Sequence, residues 1–162
     1  MASSSAIQLA DVALTWSNVK GNADLSLIDS DIASDRGLMT AFALSLFTDA
    51  RANDDDVPPS GDPRDRRGWW ADQFAATVGD RFGSRLWLLD RSKRTNDTIL
   101  HATQYATESL AWAIDDKVCE SIDVTVTAST NGLVIAVAAK RPGRDAVTFR
   151  FARVWDNLQR DM

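Results

Sequence analysis

Two neighbouring segments of the sequence read Asp65-Arg66-Arg67-Gly68-Trp69-Trp70-Ala71-Asp72 and Gly83-Ser84-Arg85-Leu86-Trp87-Leu88-Leu89-Asp90. They hold three of the six tryptophans and, together with Arg81 between them, four arginines. Tryptophan is costly to leave in water, and a guanidinium group can both stack on an indole ring and bind a carboxylate. This Trp/Arg segment, residues 65–90, is therefore either an irregular part of the core or a surface that another protein binds.

The composition is that of one folded domain. The chain has 162 residues, 44% of them apolar, which is enough for a packed core. We therefore expect a single domain over residues 1–162, with a flexible terminus at 1–7 and a loop rich in Pro and Asp at 53–64.

Charge and hydropathy exclude several partners. The net charge of -5 argues against a nucleic-acid binder, which usually presents a basic face. Because no apolar run approaches the roughly 20 residues that span a bilayer, no membrane contact is expected either. The first residues carry no basic region ahead of an apolar one, so they are not a secretion signal. The sequence predicts a protein made and used in a cytosol, or in something assembled there.

The first third of the chain predicts a hairpin and a helix. Apolar residues alternate with polar ones from Asp11 to Trp16 and again around Leu25 and Leu27, which is the period of half-buried strands. Ser34-Asp35 can cap a helix from about Arg36 to Arg51. Its apolar residues spread beyond one narrow stripe, so the helix should be mostly buried.

A loop follows at residues 53–67, where three prolines and a glycine interrupt regular structure. Its three aspartates, Asp54 to Asp56, resemble calcium ligands, but Pro59 stands where an EF loop needs its turn glycine. A solvated run of charges is the preferred interpretation. After the loop, the spacing of Phe74, Val78 and Phe82 predicts a short helical turn or two, whereas residues 86–89 are too few to assign by period.

A second helix is predicted from Thr95 or Asn96 to about Asp116. Its core face carries Ile99, Ala102, Thr103, Ala106, Leu110, Ala113 and Ile114. A second stripe holds aromatic and polar residues at spacings of four, three and four: His101, Tyr105, Glu108 and Trp112. Either another part of the chain covers this stripe or a partner docks there, since interfaces favour such residues.

The last third predicts a three-stranded antiparallel meander. Alternation at residues 122–127 and 147–151 indicates two strands, and Asn131-Gly132 is a strong hairpin signal. The continuous apolar run from Leu133 to Ala139 is typical of a central strand covered on both faces. With the hairpin and the two helices this makes an α+β fold, to which Trp155 and Leu158 add a short terminal helix.

No catalytic or cofactor-binding pattern is found. The sequence has neither a phosphate-binding loop nor a dinucleotide fingerprint. The single cysteine, Cys119, is interpreted as a small buried hydrophobe, and the single histidine, His101, as a residue of a helix surface. We therefore expect a protein that is not an enzyme and that holds no metal or cofactor.

Four motifs in order resemble a known family. They are Leu44-Ser45-Leu46-Phe47-Thr48-Asp49, Asp65-Arg66-Arg67-Gly68-Trp69-Trp70, Gly83-Ser84-Arg85-Leu86-Trp87-Leu88-Leu89 and Tyr105-Ala106-Thr107-Glu108-Ser109-Leu110. The set is similar to the Mu-like family of phage tail baseplate proteins, the small wedge subunit of contractile tails, from about Asp11 to Trp155. That family is in turn similar to the wedge protein with a lysozyme-like name in larger contractile phages and to a baseplate component of type VI secretion.

The resemblance implies a structural protein of the virion, assembled in the host cytoplasm. It would link other wedge proteins to the tail tube and the first sheath ring in a six-fold assembly, while the isolated chain would be a monomer or weak oligomer. The wider relatives carry an acidic-Pro-Arg motif after the second helix, but residues 114–118 lack its proline and arginine. The candidate partner-binding residues are Arg66, Arg67, Trp69, Trp70, Arg85, Trp87, His101, Tyr105, Glu108 and Trp112.

Two alternatives remain open. The first is a peptidoglycan-degrading enzyme with Glu108 as its acid, although no second carboxylate stands at an evident separation. The second is the same structural role in a tailocin or a contractile injection system, which gene neighbours would distinguish from a phage.

Overall fold

The computed structural model describes residues 13–17, 22–26, 33–75, 81–92, 95–130 and 132–154. The terminus at 1–7, Val78, Asn131 and the predicted helix at Trp155 and Leu158 lie outside these residues. The chain divides into two compact units, Met1–Phe42 and Ala43–Met162. The single domain expected over residues 1–162 stays a prediction.

In the first unit, strands β1 (Ala13–Ser17) and β2 (Asn22–Ser26) form an antiparallel pair. Leu14 lies opposite Leu25 in this pair. The alternation of apolar and polar residues predicted these two strands, because one face of such a hairpin is apolar.

Helix α1 (Ala33–Phe47) begins in the first unit and ends in the second. It was expected at about Arg36 to Arg51, and it ends earlier because the next residues pair with a distant backbone. The Ser84 N–H donates to the Thr48 carbonyl at 2.8 Å, and the Ala50 N–H donates to the Ser84 carbonyl at 3.1 Å. These two bonds would be lost if the helix continued.

The buried apolar residues of α1 lie four apart, at Leu38, Phe42 and Leu46, and Ser45 is buried next to Leu46. The expectation of a mostly buried helix is wrong for its other sides, which expose Met39, Leu44 and Phe47. An apolar sequence alone does not fix burial, since folded proteins expose many apolar side chains.

Two short 3-10 helices follow, η1 (Trp70–Phe74) and η2 (Arg85–Leu89). The helix η1 ends at Phe74, and most of the segment from Phe74 to Phe82, where a helical turn or two was predicted, lies outside the described residues. All four apolar residues of η2 are buried, from Leu86 to Leu89. Four consecutive apolar residues show no period, so the sequence did not decide between a helix and a strand here.

The second predicted helix is confirmed with a break near its end. Helix α2 (Asn96–Leu110) is capped by Thr95, whose hydroxyl accepts the Thr98 N–H at 3.3 Å. A short helix α3 (Trp112–Asp115) continues after Ala111. The predicted core face of this second helix is buried at Ala102, Ala106, Leu110 and Ala113, while Ile114 is exposed.

The C-terminal sheet is the predicted antiparallel meander. Strands β3 (Ser121–Ser129), β4 (Gly132–Lys140) and β5 (Val147–Val154) pair in the order β3-β4-β5. The central strand β4 buries one face, at Leu133, Ile135, Val137 and Ala139, and its other face is only half-buried, so the expectation of a strand covered on both faces holds for one of them. Helix α2 packs against β3 and η2, so the second unit is a sheet backed by a helix, with the Trp/Arg segment beside them.

Candidate protein-binding surface

The Gly83-Ser84 pair joins three parts of the second unit. Besides its two backbone bonds to residues 48–50, the buried Ser84 donates its hydroxyl to the Tyr105 carbonyl of α2 at 3.2 Å. The same oxygen accepts the Leu86 N–H at 3.2 Å and so caps η2. A Cβ on Gly83 would overlap the Thr48 carbonyl, which accounts for the glycine of this motif.

Arg85 joins the 53–64 loop to α2. One of its nitrogens lies 3.1 and 3.0 Å from the two carboxylate oxygens of Asp56, and the other lies 2.6 Å from Glu108. Its side chain is 16% exposed and stacks over the Tyr105 ring at 4.5 Å. Burial acts to lower the pKa of Arg85, but its bonds to Glu108 and Asp56 outweigh that effect and raise the pKa.

Asp56 is therefore not part of a solvated charge run, as the sequence suggested. Its carboxylate is 11% exposed and also accepts the Asn53 N–H at 2.7 Å. The preferred interpretation of the acidic run is wrong for Asp56 and right for Asp54 and Asp55, which are exposed.

Arg66 and Arg67 bind groups of the second unit itself. Arg66 donates to the carbonyls of Asn53 and Asp56 at 2.6 and 3.1 Å, which holds the loop closed. Arg67 binds Asp49 at 2.7 Å, and its guanidinium lies 4.3 Å from the ring centroid of Trp87. The guanidinium groups of these two candidate partner-binding residues are thus bound to groups within the chain.

The three tryptophans of the segment differ in their surroundings. Trp87 is completely buried and donates its indole N–H to the Ala50 carbonyl at 2.8 Å, so it is core. Trp69 and Trp70 are 42% and 71% exposed, and Phe74 is 72% exposed. Trp69 lies 5.9 Å from Trp70 and 5.0 Å from Phe82, while Trp70 lies 6.2 Å from Phe74 (ring centroids).

We call Trp69, Trp70 and Phe74 the aromatic patch. Exposed aromatic rings in contact with one another are typical of protein-binding surfaces, because an interface gains most from burying such rings. The interpretation of the sequence left core and surface open, and the structure contains both, one ring in the core and a pair outside.

The second stripe of α2 is partly covered by the chain itself. Glu108 is bound by Arg85, and its other oxygen accepts the Gln104 amide at 2.9 Å. Trp112 is half-buried and donates its indole N–H to Ser45 at 3.0 Å. His101 is exposed and stacks on Tyr105 at 6.0 Å, and the side chain of Glu108 is 46% exposed, so the chain covers the stripe only in part.

Beside Arg85 lies a cleft of ≈ 190 Å³ that brings three predicted candidates, Arg85, Tyr105 and Glu108, together with residues that were not predicted as candidates. Its lining includes Arg51, Asn53, Arg81, Ser109 and the residues already described at Ser84, Arg85, Tyr105 and Glu108. Burial raises the pKa of Tyr105, and the Asp56 carboxylate adds to that effect. No pattern in the sequence marks Arg51, because an arginine after a helix is ordinary.

The described residues give little support for a metal site or for a reactive thiol. In the described ranges, no group of three or more His, Cys, Asp or Glu side chains could hold a metal ion. Cys119 is buried, and burial raises the pKa of its thiol, which makes it a poor nucleophile. Across the same ranges, no helix has the length and apolar character that crossing a membrane requires.

Comparison with known proteins gives the family of the chain. The family model described as phage protein GP46 matches residues 38–146. The chain belongs to the GP46 family of phage proteins. A member from Escherichia phage Mu, named baseplate protein gp46, is 36% identical over 152 residues, which are 93% of this chain and 100% of the Mu protein.

A second GP46 relative comes from Haemophilus influenzae. It is named Mu-like prophage FluMu protein gp46 and is 36% identical over 116 residues, 72% of this chain and 75% of the relative. The matched family region, residues 38–146, includes both halves of the Trp/Arg segment and all of α2. The resemblance inferred from the four motifs is thereby confirmed.

Proposed function

We propose that this GP46-family chain is a structural subunit of a phage tail baseplate. The observation that carries the proposal is the match along the whole length of a Mu protein that is named a baseplate protein. The aromatic patch supports it independently, because a subunit of an assembly needs an exposed surface that another subunit covers.

The finer role extends the proposal. The chain would link other wedge proteins to the tail tube and the first sheath ring of a contractile tail, within a six-fold assembly. Its place would be the virion after assembly in the host cytoplasm. Its net charge of -5 fits contacts with proteins rather than with nucleic acid.

The test is deletion of the gene from the element that encodes it, followed by electron microscopy of the released particles. Particles without assembled baseplates, restored by the gene in trans, are the expected result. Complete and infectious tails from the deletion strain would contradict the proposal. The genes beside it would distinguish a phage from a tailocin or an injection system.

The enzymatic alternative depends on Glu108 as a general acid, and its surroundings oppose that role. A general acid must donate a proton, whereas both oxygens of Glu108 accept hydrogen bonds, from Arg85 and Gln104. A zymogram on peptidoglycan, with Glu108→Gln as the control, tests the alternative directly. We expect no clearing from either protein.

A further inference from the structure

Two arginines that line the cleft beside Arg85, Arg51 and Arg81, have no carboxylate partner among the described residues. Among the described residues, Arg81 donates to two neutral oxygens, that of the Asn53 side chain at 2.9 Å and the Arg51 carbonyl at 3.4 Å. Within the described part of the chain, the guanidinium of Arg51 makes no hydrogen bond or ion pair. By contrast, Arg67 and Arg85 are each bound to carboxylates.

The cleft therefore carries an excess of positive charge in an acidic protein. Its lining holds three arginines and one carboxylate, Glu108, which Arg85 already binds. Arg85 also binds Asp56, so among the described residues Arg51 and Arg81 are the arginines of this lining without a carboxylate partner. A guanidinium group presents a fork of donors that fits a carboxylate with two parallel bonds.

Arg51 and Arg81 each lie next to a residue that adjoins Trp69 of the aromatic patch. A Cβ built on Gly68, the residue before Trp69, would lie 2.9 Å from the Cβ of Arg51. On the other side, Phe82 directly follows Arg81, and its ring lies 5.0 Å from that of Trp69. Both arginines therefore border the aromatic patch on the side of Trp69.

We infer that this surface, formed by Trp69, Trp70, Phe74, Arg51 and Arg81, binds an acidic segment of another baseplate protein. Apolar side chains of that segment cover the rings, and its carboxylates bind Arg51 and Arg81. The inference rests on the proposed function. Nucleic acid would also stack on the rings, but two cations on a chain of net charge -5 give a weak site for a polyanion.

The experiment co-expresses the full tagged chain with the products of the adjacent baseplate genes and measures complex formation by affinity purification and sizing. The test variants are Arg51→Glu with Arg81→Glu, and Trp69→Ser with Trp70→Ser. The matched controls are Arg64→Glu and Arg150→Glu, because both side chains lie on exposed residues of the same unit. Melting temperatures verify that every variant is folded.

We expect the charge reversal to weaken the complex by about tenfold or more and the controls to leave it unchanged. The wild-type complex should also weaken as salt is raised, and reversal of one acidic residue in the partner segment to arginine should restore binding to the double variant.

The outcomes separate the two claims. If the wild type forms no complex with any baseplate protein, the proposed function fails and this inference fails with it. If the wild type forms a complex that Arg51→Glu with Arg81→Glu retains, this inference alone is overturned. Purification of the chain with nuclease-sensitive nucleic acid, lost in the same double variant, would overturn it in favour of a nucleic-acid site.

Discussion

At the residue scale, the Trp/Arg segment is explained by the backbone contacts of Gly83 and Ser84. Ser84 uses its N–H, its carbonyl and its hydroxyl to bind residues of three different parts of the unit. Each of these groups would be costly to bury without a partner. The pair therefore fixes where η2 begins, and with it the positions of Arg85 and Trp87.

We predict that Gly83→Ala is strongly destabilising. Gly83 has φ +102° and no room for a Cβ beside the Thr48 carbonyl. Gly61→Ala is the matched control, since Gly61 has φ +75° and open space around it. Urea denaturation should show a loss of about 1–2 kcal/mol for Gly61→Ala, the cost of the left-handed backbone, and about 2 kcal/mol more for Gly83→Ala. Equal losses would mean that the contact with Thr48 does not matter.

Tyr105 gives a second prediction at this scale, because it is the only tyrosine in the chain. Burial, with the Asp56 carboxylate, raises its pKa. Its ionisation, followed by absorbance at 295 nm, should have its midpoint above the value of about 10 seen in unfolded chains. A midpoint at or below that of the urea-unfolded protein would contradict the buried position.

The sign of the linkage follows from the raised pKa. A tyrosine whose folded pKa exceeds its unfolded pKa contributes stability that is fully present below the unfolded value of about 10. That stability is lost as the pH rises through the folded pKa. Tyr105→Phe should therefore make the loss of folding stability at alkaline pH smaller. Near neutral pH, where Tyr105 is not ionised, removing its ionisation should have no effect on stability.

At the scale of elements, Arg85 is the link between the 53–64 loop and helix α2. We predict that Arg85→Ala lowers the free energy of unfolding by about 1–3 kcal/mol, less than a fully buried pair would lose because Glu108 is partly exposed. Arg64→Ala, at a side chain that is 90% exposed, should change it by less than about 0.5 kcal/mol. Urea denaturation measures both.

Hydrogen exchange would show which part of the second unit Arg85→Ala destabilises. Loss of Arg85 leaves Asp56 without its cation, so amides of the 53–64 loop should exchange faster while those of β4 keep their protection. Uniform acceleration across the sheet would instead mean that Arg85 stabilises the whole unit rather than the loop.

The regular elements are those that the sequence predicted. Strands β3 and β5 and helix α2 have apolar residues at periods of two and 3.6, because each buries one face, whereas β4 was predicted from its continuous apolar run and the Asn131-Gly132 turn signal. The 3-10 helix η2 has no such period, since all of Leu86 to Leu89 are buried. Its conformation depends on Ser84 and on distant backbone groups, which a local pattern does not contain.

The candidate site was harder to predict, for a physical reason that Trp70 and Trp87 illustrate. Both are tryptophans beside arginines, yet one is 71% exposed and the other is buried. The difference comes from the Ala50 carbonyl and the Arg67 guanidinium, which meet Trp87 only in the folded chain. Arg51 and Arg81 were not predicted as binding residues, because only the folded structure shows that their guanidinium groups have no carboxylate partner among the described residues.

At the scale of the whole molecule, the chain is a braced scaffold that presents a small aromatic surface. Three arginines, Arg66, Arg67 and Arg85, satisfy carbonyls and carboxylates within the second unit. Under the inference above, the aromatic patch and the guanidinium groups of Arg51 and Arg81 bind a partner. This division is what a structural subunit of a larger assembly requires, a rigid support with one surface left to bury.

The most direct test of this account is photo-crosslinking within assembled particles. Trp70 would be replaced by p-benzoylphenylalanine, with the same replacement at the exposed Val57 of the 53–64 loop as a reference, and the products identified by mass spectrometry. The account predicts that residue 70 crosslinks to another baseplate protein, at an acidic segment. Particles that contain the chain but yield no crosslink from residue 70 to another protein would contradict it.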